Sequence, residues 1–161
     1  FREGELFVPE VMMAAETVAQ VIDMLRPLLG NEKIDRGCVV LGTVKGDLHD
    51  IGKNLVSLLL TSNGFRVVDL GNDVPAEDFL SAQAEHGADI VGLSALLTTT
   101  MDYMREVIAH FAAAGRRDQV RIIIGGAPVT REYAAEIGAD GYGADAAEAA
   151  QLCLELMEGG R

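Results

Sequence analysis

From residue 37 onward the chain repeats one pattern: a short run of β-branched residues, a loop, then an amphipathic stretch. The runs Cys38–Val44, Arg66–Leu70, Ile90–Leu93, Arg121–Ile124 and a brief Gly141–Tyr142 show no polar alternation. A strand with one wet face alternates, whereas a strand covered by helices on both faces does not. The segments between them predict helices over 52–63, 76–86, 101–114, 130–137 and 145–157. Strand–helix units in that order, with short connections, point to an α/β fold. The expected form is a flavodoxin-like, doubly wound five-stranded parallel sheet of order 2-1-3-4-5.

Residues 1–30 follow a different rule. Val8, Val11, Met12, Ala15, Val18, Val21, Ile22, Leu25 and Leu28 recur three and four apart, which places them on one helix face. Pro9 suits a first turn, and Pro27 ends or kinks the helix near Arg26. Gly30-Asn31-Glu32-Lys33 reads as a linker. The expected division is a helical segment at 1–30, a linker at 31–36 and the α/β domain at 37–161. The start, Phe1-Arg2-Glu3-Gly4-Glu5, has no basic segment before an apolar stretch, so no signal peptide is expected. With no initiator Met, the chain reads as a piece of a longer one.

Charge narrows the partners. A net charge of −12 repels phosphate backbones and anionic lipid, so neither nucleic acid nor a membrane surface is an expected partner. No apolar run approaches the roughly 18 residues of a membrane span. The only cysteines, Cys38 and Cys153, sit inside apolar patterns and read as buried thiols of a cytoplasmic protein.

In doubly wound folds ligands bind beyond the carboxyl ends of the strands, beside strand 1. That rule selects Lys45–Asn54, Ser94–Thr100 and Gly125–Pro128. The first has glycines and a Gly52-Lys53 pair but not a phosphate cradle's spacing. Five residues separate Gly46 from Gly52, Asn54 follows Lys53, and Asp47 and Asp50 would repel phosphate. Asp47-x-His49 suits an oriented metal ligand, with one ring nitrogen on the metal and the other on the carboxylate. His86 and His110 fall on other helices, so a bare zinc site lacks ligands. One imidazole suffices if the metal brings its remaining ligands in a macrocycle. Ser94, Thr98, Thr99 and Thr100 offer hydroxyls for a buried polar tail, for the Asp47–His49 relay, or for helix capping by Thr99 or Thr100. Gly125-Gly126 permits close approach of a flat ligand group or of backbone.

Asp47-x-His49-x-x-Gly52, Ser94-x-Leu96 and Gly125-Gly126, in order, resemble the three-part signature of cobalamin-binding domains. The chain resembles the corrinoid-binding module of cobalamin-dependent methionine synthase. It is still more similar to the small corrinoid proteins of methyltransferase systems acting on methanol, methylamines or aryl methyl ethers. Gly42 through Asn54 and Gly92 through Thr100 carry that closer match, and the likeness extends over essentially the whole chain.

The resemblance implies a cobalt corrinoid bound base-off, with His49 as lower cobalt ligand and Asp47 holding His49. Gly46, Leu48, Asp50, Ile51 and Gly52 would complete the loop beneath the corrin. The nucleotide tail would pass Ser94, Leu96, Thr98, Gly125 and Gly126 and end near Tyr142 and Ala146. Thr100 would complete the relay, where methionine synthase has Ser. Segment 1–30 would be a partial helical cap over the methyl face, with Phe1, Phe7 and Val8 as cap residues. The implied role is a methyl carrier rather than a complete enzyme: cob(I)alamin takes a methyl group and methylcobalamin gives it up. Implied partners are a substrate-specific methyltransferase, an acceptor methyltransferase using tetrahydrofolate or a thiol, and a reductive activase. Two corrinoid alternatives are a domain of an adenosylcobalamin mutase and a cobalamin sensor. Mutase domains carry Gly and Arg where this chain has Leu48 and Ile51, and a sensor needs a DNA-binding domain. A response-regulator receiver would need acidic residues that Arg36-Gly37-Cys38 and Leu93-Ser94 do not supply.

Overall fold

The computed structural model describes residues 36–159 together with Met13 and Thr17. The remainder of segment 1–30, with Phe1, Phe7 and Val8, and linker residues 31–35 lie outside the described residues. Five strands form one parallel sheet: β1 (Cys38–Thr43), β2 (Arg66–Asp69), β3 (Ile90–Ser94), β4 (Arg121–Gly125) and β5 (Gly141–Gly143). Their order is β2-β1-β3-β4-β5, as the sequence predicts. The connecting helices are α1 (Ile51–Ser62), α2 (Ala76–His86), a short α3 (Thr98–Met101), α4 (Tyr103–Ala113), α5 (Arg131–Ile137) and α6 (Ala146–Glu158).

Strand alternation explains why the runs are apolar throughout. Val39, Leu41, Ile90 and Ile123 point to the face covered by α1 and α6, where they meet Leu60, Phe65 and Cys153. Val40, Val91, Ile122 and Ile124 point to the other face, against Phe79 of α2, Met104 and Phe111 of α4 and Tyr133 of α5. Each fully buried large side chain contributes about 1.5–3 kcal/mol. The edge strand β2 is half-exposed and carries Arg66 and Asp69 at its ends, which discourages further pairing. Cys38 and Cys153 are buried, and burial pushes the Cys153 thiol up to about 12. No helix among the described residues is long and apolar enough to cross a membrane.

The helix expected at 101–114 begins earlier, as α3, and is interrupted at Asp102. Neither Thr99 nor Thr100 caps it. Leu97 occupies the N-cap position, where its apolar side chain can make no capping bond, and the Thr100 hydroxyl goes to Asp47 instead. Side-chain caps do appear at Thr130, which accepts from Tyr133 N, and at Asp145, which accepts from Glu148 N.

Candidate functional site

Beyond β1 the chain turns at Gly46, whose φ is +84°, and brings Asp47 beneath the loop that follows β3. The Asp47 side chain is wholly inaccessible, and both its oxygens are saturated. Oδ1 accepts from His49 N at 3.1 Å and faces His49 Nδ1 at 2.7 Å. Oδ2 accepts from Leu96 N at 2.7 Å, Leu97 N at 3.3 Å and Thr100 Oγ1 at 2.7 Å. Burial works to raise the carboxyl. Hydrogen bonds from Thr100, the Leu96 amide and His49 outweigh it and hold Asp47 well below the usual carboxylate range. An ionised carboxylate only accepts, so the neutral ring carries its hydrogen on Nδ1 and keeps a lone pair on Nε2. Half of the His49 side chain is exposed.

Thr43 is a further support that the sequence reading did not single out. Fully buried at the end of β1, it donates its hydroxyl to His49 O at 2.9 Å. Its signal was a lone polar residue closing the apolar run Cys38–Gly42. Lys53 also differs from its surroundings. Its nearly buried Nζ lies 2.6 Å from Asp69 Oδ2 and 2.7 Å from Asn54 Oδ1. Those bonds tie α1 to the end of β2 and leave the amine committed, in keeping with the absence of a phosphate cradle.

A cleft of about 570 Å³ opens at His49 and runs between α1 and α6. Its floor includes Gly125 and Gly143 at the ends of β4 and β5, and Gly92 within β3 beside Leu41 and Ile123; its walls include Val56 and Ala149. Leu48, His49, Asp50, Ile51 and Gly52 line it from the first loop. Ser94, Leu96, Gly125, Gly126 and Ala146 line it from the others. Gly46, Asp47 and Thr100 support the loop from behind, and Thr98 is exposed outside the cleft. Tyr142 does not line the cleft. Strand alternation turns it to the opposite face, where it packs on the core under Arg131, 5.9 Å from its ring centre. Its neighbours Gly143, Ala144 and Asp145 line the cleft instead.

Two glycines carry opposite meanings. Gly126 has φ +128°, and a Cβ there would lie 1.8 Å from Ala95 O. Backbone, rather than a ligand, demands that glycine. Gly126→Ala should cost about 2–4 kcal/mol in denaturant unfolding. Gly52 has no atom within 4 Å of a built Cβ, and its φ is ordinary. Nothing in the fold requires glycine there, yet it lines the cleft, so the vacancy suits a bound group. Gly52→Ala should leave unfolding unchanged or improve it by up to about 1 kcal/mol. The same substitution should weaken corrinoid binding roughly tenfold or more, as an unaccommodated methyl does. A titration of both proteins, alongside unfolding curves, checks the pair of effects.

Among the described residues no three His, Cys, Asp or Glu side chains gather to hold a metal ion. The donor set is one oriented imidazole. Around it stand Leu48, Ile51, Leu96 and Leu97, which are 69%, 66%, 43% and 43% exposed. An apolar platform with a single central nitrogen fits the face of a metal-bearing macrocycle, and the long cleft fits its appendage.

Fold and site together define a class: α/β domains that seat a metallomacrocycle over strand ends and thread its tail beside the sheet. Residues 37–151 match the B12 binding domain, and the chain belongs to that family of corrinoid-binding proteins. It is 46% identical, over 98% of its length and 95% of the relative's, to dimethylamine corrinoid protein 3 of Methanosarcina mazei. A cobalamin-binding protein from Desulfitobacterium hafniense superposes with a TM-score of 0.87 at 38% identity, covering 97% of this chain and 74% of that one. The methanol:cobalamin methyltransferase complex of Methanosarcina barkeri contains a chain matching with a TM-score of 0.84 at 36% identity, covering 98% and 60%. The cofactor is thus a cobalt corrinoid.

Proposed function

We propose that the protein is a methyl carrier that holds its corrinoid base-off, with His49 in place of the cofactor's own base. The observation that carries this reading is the Asp47–His49 pair at the mouth of the cleft, with Nδ1 tied at 2.7 Å and Nε2 left to donate. The corrinoid, when bound, supplies the cobalt centre that accepts and releases the methyl group. The chain's own residues do the rest. Asp47 fixes the ring and its tautomer. Thr43 and Thr100 hold the carboxylate and the loop. Leu48, Ile51 and Leu96 exclude water around the imidazole, and the glycine floor receives the nucleotide tail. The methanol:cobalamin methyltransferase complex among the similar structures supports a substrate-specific methyltransferase as donor partner. The acceptor partner in this reading is a second methyltransferase, acting on tetrahydrofolate or a thiol. A reductive activase completes the set. Segment 1–30, with Phe1, Phe7 and Val8, is assigned to shielding the methyl face.

Isotope labelling tests the ligation directly. Protein grown on ¹⁵N-histidine, loaded with cobalamin and reduced to cobalt(II), should show two-line nitrogen splitting of the cobalt resonance signals. Three-line splitting, from the cofactor's own unlabelled base, or none at all, overturns the assignment.

A further inference from the structure

The loop carrying His49 is also gripped from outside the site, by the connection between β2 and α2. There Asp73 has φ +55°, the single non-glycine residue with positive φ among the described residues. L-residues avoid that conformation, Asn and Asp least. Such strain persists where surrounding contacts over-determine it. Here the contacts are specific. Asp73 Oδ1 accepts from Gly46 N at 2.7 Å, and Asp73 N donates to Asp47 O at 3.0 Å. One residue therefore holds the Gly46–Asp47 pair by its outer amide and its outer carbonyl. Asn72 Nδ2 adds a long contact to Leu48 O at 3.4 Å, and Val74 bridges Val44 just before the loop. Asp73 is exposed and does not line the cleft.

We infer that Asp73 is a positioning residue for the cobalt ligand. It locks the Gly46–Asp47 backbone, so that the Asp47 carboxylate meets Nδ1 and the imidazole keeps one orientation as it leaves and regains the metal. The left-handed backbone is what lets one residue make both contacts: its N–H reaches Asp47 O while its carboxylate turns back to Gly46 N. A residue that merely stabilised a turn would change unfolding without changing ligation. The inference rests on His49 being the lower ligand, and its test separates the two.

Asp73→Gly keeps the left-handed backbone and removes the carboxylate, while Asp73→Asn keeps an acceptor oxygen. Two readouts apply: amide hydrogen exchange at Gly46 in protein free of corrinoid, and the ¹⁵N-histidine splitting of the cobalt(II)-loaded protein. In Asp73→Gly the Gly46 amide should exchange about tenfold faster or more, the loss expected for a hydrogen bond to a charged acceptor. A substantial fraction of its cobalt should lack the two-line imidazole splitting. Asp73→Asn should restore both properties close to the parent protein. Full two-line splitting in Asp73→Gly, with the parent also showing it, overturns the positioning role. A parent protein without that splitting removes the ligand assignment and this inference with it.

Discussion

Replacing His49 by alanine should leave a folded protein whose bound cobalamin shows no imidazole nitrogen. The fold has little stake in the ring. Half of it is exposed, and among the described residues its ring bonds to Asp47 alone. An alanine at 49 keeps the amide that donates to Asp47 Oδ1 and the carbonyl that accepts from Thr43. The variant should therefore stay folded at a cost of about 1.5–3 kcal/mol, the worth of a single hydrogen bond to a charged group. The tail cleft, floored by glycines on β3–β5, is untouched, so corrinoid should still bind, though more weakly. Its visible spectrum and its cobalt(II) resonance should be those of a cofactor without histidine, and methyl transfer between partner enzymes should collapse. A loaded variant with the parent's spectrum would place the lower ligand elsewhere.

Asp47 should matter to both fold and ligation. Asp47→Ala strands the His49, Leu96 and Leu97 amides and the His49 ring. The Thr100 hydroxyl alone has a ready alternative, since Leu97 O lies 3.0 Å away. Three orphaned amides and a lost buried charge–dipole network predict a cost of about 3–4 kcal/mol. Asp47→Asn is more instructive because its shape is nearly the same. Its amide can offer only one oxygen. If that oxygen serves Leu96 and Leu97, the NH₂ group faces Nδ1 and favours the tautomer with hydrogen on Nε2, which cannot ligate. If the amide is flipped, its oxygen keeps the Nδ1 hydrogen, but the NH₂ group meets the Leu96 and Leu97 N–H donors. That clash favours the first arrangement, so the imidazole splitting should fall sharply at neutral pH while His49 remains in place. Retention of full splitting in Asp47→Asn would show that the carboxylate does not set the tautomer.

The same residue makes an acid-limb prediction. The folded Asp47 carboxyl lies below its ordinary value of 3.8. Its stabilising contribution is therefore complete above that value. It is lost as pH falls from there through the lower folded value, where the native state must also take up the proton. The stability gap between the parent and Asp47→Ala should be widest near neutrality and narrow steadily below about pH 4. Denaturant unfolding at several pH values measures it, and a gap that stays constant down to pH 3 contradicts the buried-carboxylate account.

The fold was readable because burial on both faces of a sheet leaves an unusual trace. Val39, Val40 and Leu41 point alternately to two different helical layers, so no position in the run tolerates a polar residue. Strand order followed from the absence of hairpin turns, and the site's location followed from strand ends. Within the site, Asp47-x-His49 was readable because side-chain chemistry announces it. Its strongest supports were not. The Leu96 and Leu97 amides look the same in every sequence, and their donation to Asp47 depends on how the β3 loop lies over the β1 loop. Thr100 offered several partners, and only folding chose Asp47. The Lys53–Asp69 pair joins residues far apart in sequence, with nothing local to mark it. The facing of Tyr142 was not legible either: on β5, Gly141 and Gly143 share one face and the residue between them takes the other, and three residues are too few to show that as a pattern.

The glycine floor has a consequence for how such a protein can diversify. Side chains normally give a binding slot its width, and substitution changes it freely. Here Gly125 and Gly143 bring main chain to the cleft at the ends of β4 and β5, so the depth of the slot there is inherited from strand spacing, and a substitution can only make it shallower. Adjustment to a bulkier or slimmer cofactor tail is left to the helical wall, at Val56, where one methyl group more or less alters the width, whereas Ala149 already packs on Gly143. Lineages that meet different corrinoids would be expected to record the difference there, and to leave the floor alone.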